Sequence, residues 1–460
     1  MTLKYNENTF EVTIDKLNDR GVGMTSIRRE NKRGKVKKEK ITIPYTLPGE
    51  EVKATLLPPY KKKIARLDEI KETHPDRIDP ACPHFGRCGG CTWQHWPYES
   101  QLNQKTSMVK NYIEEKGFNP DLVKDTIPAE SEWNYRNKME FTFAPDGSLG
   151  LHELFNYRQI IPLETCLIAS QPIVDVTLEI ANWVKRHRIS GYDKEKHEGM
   201  MRHALVRHSR STDEMLVAIF ATESAPEKVK ELIASFEEKF PNVKGLLWIK
   251  NTNLADSVQA DEEELLLGRD YIFDTLAGFR YRLWWDTFFQ TNPVQAEKLV
   301  ELAIEMAKPK ADEKMIDLFC GVGTFSLPFA KHVKELAGIE IVDTSIQSAR
   351  RNAKDNDIDN TLFYTSDARR GLAKVVESFG IPNLFLLDPP RSGAGGKVMR
   401  RIGRAQPDRV VYVSCNPKSF AEDIKELAQF GYRLEQVQPV DLFPQTYHVE
   451  LVALMSRVEE

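Results

Sequence analysis

Along the first 70 residues apolar and polar positions alternate in short runs. "TFEVTIDKL" (9–17) alternates, "GVG" (21–23) turns, and "KITIPYTLPGEEVKATLL" (40–57) alternates again and turns at Pro48-Gly49. This spacing over residues 8–67 predicts a small β-barrel. The Pro-rich polar stretch "KETHPDRIDPACP" (71–83) marks a boundary, and residues 97–117 read as a helix closed by Gly117. Between 133 and 285 the pattern is mixed, with strands in "KMEFTF", "HALVRHS", "EMLVAIF" and "GLLWIK". From 294 the rhythm becomes helix, strand, helix, strand. "VQAEKLVELAIEMA" is amphipathic, and "KMIDLF", "KELAGIE", "LFYTSD", "NLFLLD" and "RVVYVS" are short apolar strands. Such alternation predicts a parallel, doubly wound sheet, whose ligands lie beyond the carboxyl ends of its strands. The expected division is 1–74, 75–280 and 281–460, with the helix at about 97–125 packing on the last part.

The candidate chemistry sits at those strand ends. "DLFCGVGTFSL" (317–327) is strand, Gly-x-Gly turn, helix, and its glycines let backbone approach a ligand. The dinucleotide fingerprint would require glycine at 326, which is Ser. The next strand ends at Glu340, placed to accept from ribose hydroxyls, and the third at Asp367, placed to hold an adenine amino group. The fourth ends at Asp388-Pro389-Pro390-Arg391. Taken singly, each acid is more readily a helix cap or a solvated charge. Four in order resemble class I S-adenosylmethionine-dependent methyltransferases. Relatives that methylate exocyclic amines carry an aromatic after Asp-Pro-Pro. Arg391 stands there, which points to a ring carbon as target.

The fifth strand, "VVYVSCNP" (410–417), delivers Cys415 and breaks. A buried cysteine is often only a small hydrophobe. Methylating C5 of uracil, however, needs a thiolate to add to C6, a sulfonium methyl donor, and a base for the C5 proton. Glu450, at the entry of the last apolar strand in "DLFPQTYHVELVALM", is the candidate base, while His448 reads as a turn residue. With "FFQTN" (288–292) and "LLDPPRSG" (386–393), these segments resemble the RNA (uracil-5-)-methyltransferase family. That resemblance implies Cys415 as nucleophile and Glu450 as proton acceptor. It implies that Gln290, Phe319, Glu340 and Asp388 contact S-adenosylmethionine, with Asp367 in addition. Thr324 stands where some relatives carry Asn, and Cys320 reads as structural. A cytosine-C5 enzyme is the nearest alternative, but it would carry cysteine where Arg391 stands.

The remaining cysteines are Cys82, Cys88, Cys91 and the distant Cys166. Four thiolates suit zinc or a [4Fe–4S] cluster, and spacing alone does not choose. The family's 23S ribosomal RNA branch resembles the chain in this spacing and implies the cluster. The "GVG" and "LPGE" segments resemble a TRAM domain, an RNA-binding barrel.

Composition changes the picture little. Of the 460 residues 41% are hydrophobic and 29% charged, with net charge −4. That is ordinary for a globular protein. No run approaches the roughly 20 apolar residues of a membrane span. "MTLKYNENTF" lacks a signal-peptide core, so the cytoplasm is the expected compartment. Charge is uneven: residues 28–40 hold eight Lys or Arg and two Glu, and "YKKKIAR" (60–66) adds a second basic patch. Both suit a phosphate-tracking surface. Arg136, Lys138, Arg202 and Arg207 are further candidates for RNA contact, or else strand-surface charges.

The expected fold is thus a Rossmann-like class I methyltransferase domain with an N-terminal TRAM- or OB-like barrel and a mixed α+β central domain. The expected function is C5-methylation of a flipped uridine in 23S ribosomal RNA, by a monomer. The alternatives are the same chemistry on tRNA, a non-catalytic RNA-binding protein, and a zinc-bearing enzyme.

Overall fold

The computed structural model describes residues 2–4, 7–59, 63–254 and 258–458. Part of the second basic patch, residues 60–62, lies outside the described residues. The chain forms two compact units. One comprises Met1–Gln104, His152–Ile161 and Phe443–His448, and the other Lys105–Leu151, Pro162–Leu442 and Val449–Glu460.

The first unit begins with β1 (Thr2–Leu3), β2 (Thr9–Thr13), β3 (Lys16–Leu17), β4 (Gly23–Glu30), β5 (Val36–Ile43), β6 (Glu51–Leu56) and β7 (Ala65–Glu72). They make two small sheets, β1-β4-β3 with β5 on β4, and β2-β6-β7. Alternation puts Phe10, Ile27, Ile41, Ile43, Val52 and Ala54 into one core shared by both sheets. This is the expected N-terminal barrel. The basic run 28–40 is the ladder of the β4–β5 hairpin, with Arg28 opposite Lys38 and Arg29 opposite Lys37. In "LPGE", the buried Glu50 carboxylate accepts from the Leu47 N–H at 2.8 Å and from both Nε and Nη2 of Arg77 at 2.5 and 2.8 Å. The Arg77 guanidinium and the Leu47 amide hold that carboxyl below its ordinary range despite its burial.

After α1 (Tyr98–Glu115) come β8 (Lys138–Phe143), β9 (Leu149–Glu153), β10 (Asn156–Pro162), α2 (Gln171–His187), β11 (Met201–His208), β12 (Met215–Ala221), α3 (Val229–Lys239), β13 (Val243–Lys250) and β14 (Glu262–Gly268). These strands form a seven-stranded sheet ordered β10-β9-β8-β11-β12-β13-β14. Every residue of β11 and β12 is buried. This corrects part of the RNA-contact expectation. Arg202 and Arg207 lie on central β11 and are 2% and 0% exposed. Arg202 Nη1 donates to the carbonyls of Asn251 and Asn253, and Arg207 Nη2 to that of Thr287. A strand covered on both faces leaves no room for solvent-facing charge, so these guanidiniums tie loops instead. Lys138 pairs with Glu140 at 3.3 Å, and Arg136 is half-buried.

A hairpin follows, β15 (Tyr271–Leu276) and β16 (Phe279–Trp284), and then α4 (Pro293–Ala307). The last third runs β17 (Lys314–Leu318), α5 (Ser326–Ala330), β18 (Glu335–Glu340), α6 (Asp343–Asp355), β19 (Thr361–Thr365), α7 (Ala368–Phe379), β20 (Leu384–Leu387), α8 (Gly396–Ala405), β21 (Arg409–Ser414), α9 (Pro417–Ala428), β22 (Tyr432–Val440) and β23 (Glu450–Arg457). The sheet order is β19-β18-β17-β20-β21-β23-β22. All pairs are parallel except those of β23, which runs antiparallel to both neighbours. Its central strands read apolar throughout because both faces are covered by helices. Chain order reverses between β17 and β20, which opens the crevice of a doubly wound sheet there.

Candidate active site

Two strand ends flank that crevice. β17 delivers Phe319, whose φ is +67°, then Gly321 and Gly323 at +52° and +89°. Nothing lies within 4 Å of where a Cβ on Gly321 would sit, so the turn leaves an open cradle. The cradle is anchored from below. Phe319 and Cys320 donate to Ile339 O at 2.8 and 3.2 Å, Asn352 Nδ2 donates to Val322 O at 3.1 Å, and Tyr281 Oη reaches Gly323 O at 3.4 Å. Beneath it, buried Asp317 accepts from Ser326 Oγ at 2.5 Å, while its other oxygen meets no donor among the described residues. Burial pushes this carboxyl up to about 8, with the charges of Asp388 and Glu340 adding to the shift.

Glu340 ends β18 beside the cradle. Its Oε1 accepts from the amides of Ile341 and Val342 at 2.7 and 3.0 Å, and its Oε2 faces Gly321 N at 3.4 Å. Ile341 and Val342 are 62% and 48% exposed, an apolar shelf next to an acid. A ribose with its attached purine needs both: a carboxylate for the hydroxyls and an apolar face for the ring. Open cradle, shelf and acid together fit an adenosyl cofactor. Asp367 serves as N-cap of α7, accepting from Arg370 N at 3.1 Å. Gln290 is buried just before α4, in a segment fixed by Asn137 donating to Gln290 O and by Asn292 donating to Leu442 O.

On the other side of the crevice, Asp388 follows the end of β20, Cys415 follows the end of β21, and reversed β23 starts at Glu450. Ser414 pairs with Leu451, so Cys415 and Glu450 emerge at the same end of neighbouring strands. The charges converge accordingly. Cys415 is pushed up to about 12, by burial first and then by the charges of Glu450 and Asp388, with Arg391 opposing. Glu450 is raised well above the carboxylate range by burial and by Asp388, again opposed by Arg391. Asp388 is raised to about 7 by burial. Burial and neighbouring carboxylates thus disfavour the charged forms of both groups, and positive charge nearby favours them.

The strand breaks after Cys415 because Asn416-Pro417 starts α9. Asn416 Oδ1 caps the Lys418 amide, Pro417 occupies the first turn, and Ser414 Oγ accepts from Asn416 N at 3.1 Å. Asn416 Nδ2 also donates to Arg391 O at 2.8 Å, tying the Asp-Pro-Pro-Arg loop to the cysteine. The same loop is held further on by Asp423. Its carboxylate accepts from the amides of Ala394 and Gly395 at 2.7 and 3.0 Å and from Tyr412 Oη at 2.6 Å. Sequence reading missed Asp423, Asn352 and Asn416 as positioning residues. Only Asn416-Pro417, a cap followed by an N1 proline, carried a local signal.

Cys82, Cys88 and Cys91 share one loop of the first unit. Gly90 N donates to Cys88 Sγ at 3.4 Å, and Tyr45 Oη to Cys88 O at 3.1 Å. Cys166 is buried and belongs to the other unit. Among the described residues no group of three or more His, Cys, Asp or Glu is gathered as a metal site. No helix among them is long and apolar enough to cross a membrane.

A seven-stranded sheet with one reversed strand, a glycine cradle and acids at successive strand ends defines a class I S-adenosylmethionine-dependent methyltransferase. The model of the tRNA (uracil-5-)-methyltransferase family matches residues 97–458. An uncharacterized RNA methyltransferase of Halalkalibacterium halodurans is 34% identical over 97% of this chain and 96% of its own. One from Bacillus cereus is 35% identical over 100% and 99%. The crystal structure of Pyrococcus abyssi tRNA (uracil-54, C5)-methyltransferase, in complex with S-adenosyl-L-homocysteine, superposes with a TM-score of 0.76. It is 27% identical, and the match covers 97% of this chain and 100% of that one. The chain belongs to the RNA (uracil-5-)-methyltransferase family: it is an enzyme that methylates RNA with S-adenosylmethionine as donor.

Proposed function

We propose that the protein methylates C5 of a specific uridine in 23S ribosomal RNA, through a covalent bond to Cys415. The supporting observation is the pairing of Ser414 with Leu451, which brings Cys415 and Glu450 to one end of the sheet beside Asp388 and Arg391. S-adenosylmethionine, held by Gln290, Phe319, Glu340, Asp367 and Asp388, supplies an electrophilic methyl group and a positive sulfonium. That charge, with Arg391, favours the Cys415 thiolate that burial opposes. The thiolate bonds to C6 of the flipped uracil as the C5–C6 electron pair moves onto C5, and C5 takes the methyl as the methyl–sulfur bond breaks, leaving S-adenosylhomocysteine. Glu450 in its carboxylate form removes the C5 proton, the C6–S bond breaks, and 5-methyluridine leaves. For every turnover one proton is left on Glu450 and passes to solvent.

The set Cys82, Cys88, Cys91 and Cys166 carries a second proposal, a resident [4Fe–4S] cluster. All-thiol donors and an amide N–H directed at Cys88 Sγ fit the cluster's chemistry. Brown protein containing iron and sulfide supports it, and colourless protein with stoichiometric zinc opposes it. The TRAM-type RNA-binding role of the N-terminal barrel and a cytoplasmic location complete the reading.

The test is trapping. The protein is incubated with S-adenosylmethionine and a 23S fragment carrying 5-fluorouridine, then run on a denaturing gel. Fluorine at C5 cannot leave as a proton, so a true nucleophile stays bonded to the RNA. A shifted band with wild type, lost in Cys415→Ala, supports the reading. Trapping on tRNA alone keeps the chemistry and replaces the substrate.

A further inference from the structure

The β15–β16 hairpin has an outer face that the chemistry above does not use. Its register pairs Tyr271 with Trp284 and Phe273 with Arg282, while the alternate positions Ile272, Tyr281 and Leu283 are buried. Tyr271, Phe273 and Trp284 therefore stay half-open on one side, their rings 5.4 to 6.0 Å apart in sequence of contact. Guanidiniums lie over them: Arg280 at 3.4 Å from the Phe273 centroid, Arg282 at 4.7 Å from Tyr271, and Arg351 at 5.8 Å from Trp284. Arg282 is paired with Asp355 at 3.3 Å. Arg280 and Arg351 are exposed and have no carboxylate partner among the described residues.

Next to this ladder lies a cavity of about 290 Å³, walled by Trp284, Trp285, Glu263, Asp286, Arg351 and Val322. It offers two indoles, two carboxylates and a guanidinium. An unstacked base uses the same groups, with a π face to cover and exocyclic N–H groups to satisfy. Val322 belongs to the glycine cradle. One residue joins the two: Asn352 donates to Val322 O and accepts from Arg282 N at 3.1 Å. Asn356 adds a second clamp, accepting from Arg280 N and donating to Arg280 O at 2.8 and 2.7 Å. The ladder is thus fixed to the cofactor loop by α6.

We infer that this hairpin face and its cavity bind single-stranded RNA flanking the target uridine, with Tyr271, Phe273 and Trp284 stacking on bases and Arg280 and Arg351 facing phosphates. Aromatics give sequence-tolerant stacking, and unpaired guanidiniums give backbone attraction, the two components of single-strand binding. The inference rests on the RNA methyltransferase reading and adds a second RNA site to it.

The test is fluorescence polarisation of a fluorescein-labelled single-stranded oligoribonucleotide of about 10 nucleotides, with full-length wild type and two double variants. Tyr271→Leu with Trp284→Leu is expected to weaken binding about 10-fold or more. Arg280→Gln with Arg351→Gln, both at exposed positions, is expected to lower the slope of log affinity against log salt by about 0.7 per arginine. S-adenosylmethionine affinity should stay at the wild-type value in both, which reports an intact cradle. Wild-type RNA affinity and salt slope in both variants would overturn the inference while RNA methylation stands. Absence of any trapped 5-fluorouridine RNA with wild type would instead remove the catalytic reading, and the flanking site with it.

Discussion

Cys415 and Glu450 are neighbours across a strand reversal: Cys415 follows the last residue of β21, and Glu450 is the first of antiparallel β23. In the proposed mechanism their roles separate on substitution. Glu450→Gln keeps the volume but cannot take the C5 proton. Turnover should fall about 10²- to 10⁴-fold, and a methylated protein–RNA adduct should accumulate on denaturing gels with ordinary uridine. A variant that loses turnover without any adduct would show that Glu450 acts before bond formation.

The acids of the crevice set a pH dependence for the empty enzyme. Asp317 and Asp388 are raised to about 8 and about 7 from an ordinary 3.8. The folded chain therefore binds more protons than the unfolded chain between about pH 4 and 8, and stability falls as pH rises through that window. The Tm of cofactor-free protein should decrease from about pH 5 to 8. Asp317→Asn should flatten that decline. An unchanged slope in the variant would show that Asp317 is not the group responsible.

Lys105 and Asp441 form an ion pair at 2.7 Å with both side chains fully buried. Burial pulls the Lys105 ammonium down while Asp441 holds it up. Lys105→Met leaves a buried carboxylate and should cost about 3–5 kcal/mol in denaturant unfolding. The double replacement Lys105→Met with Asp441→Leu should recover most of the loss, because an apolar pair of similar volume removes both desolvation penalties.

Asp423 holds the Asp-Pro-Pro-Arg loop through two amides and the Tyr412 hydroxyl. Asp423→Ala leaves the buried Tyr412 hydroxyl and two part-buried amides without their acceptor and should lower stability by about 1–3 kcal/mol. It should also weaken trapping of 5-fluorouridine RNA more than S-adenosylmethionine binding, since Arg391 moves with the loop. Equal loss of both would assign Asp423 to the fold alone.

Strand ends were legible because apolar runs stop where chemistry starts. "RVVYVS", "NLFLLD" and "KELAGIE" each name a buried strand and the residue it delivers. The N-terminal alternation likewise predicted a small barrel, whose strands form two sheets. Arg202 and Arg207 misled because an arginine in an alternating strand reads as outward, and only the sheet order shows β11 covered on both faces. Asp423 and Asn352 gave no local sign. Each acts on a loop 28 or 30 residues away, a separation fixed by helix packing. The β15–β16 ladder was hidden for the same reason, since Arg351 reaches Trp284 from α6.

The reversal of β23 also makes the site a matter of register. Strand β23 lies between β21 and β22 and pairs antiparallel with both. The pairing of Ser414 with Leu451 sets Glu450 opposite Cys415. A slip of β23 by one residue would turn every side chain of the strand to the other face of the sheet, and Glu450 with them.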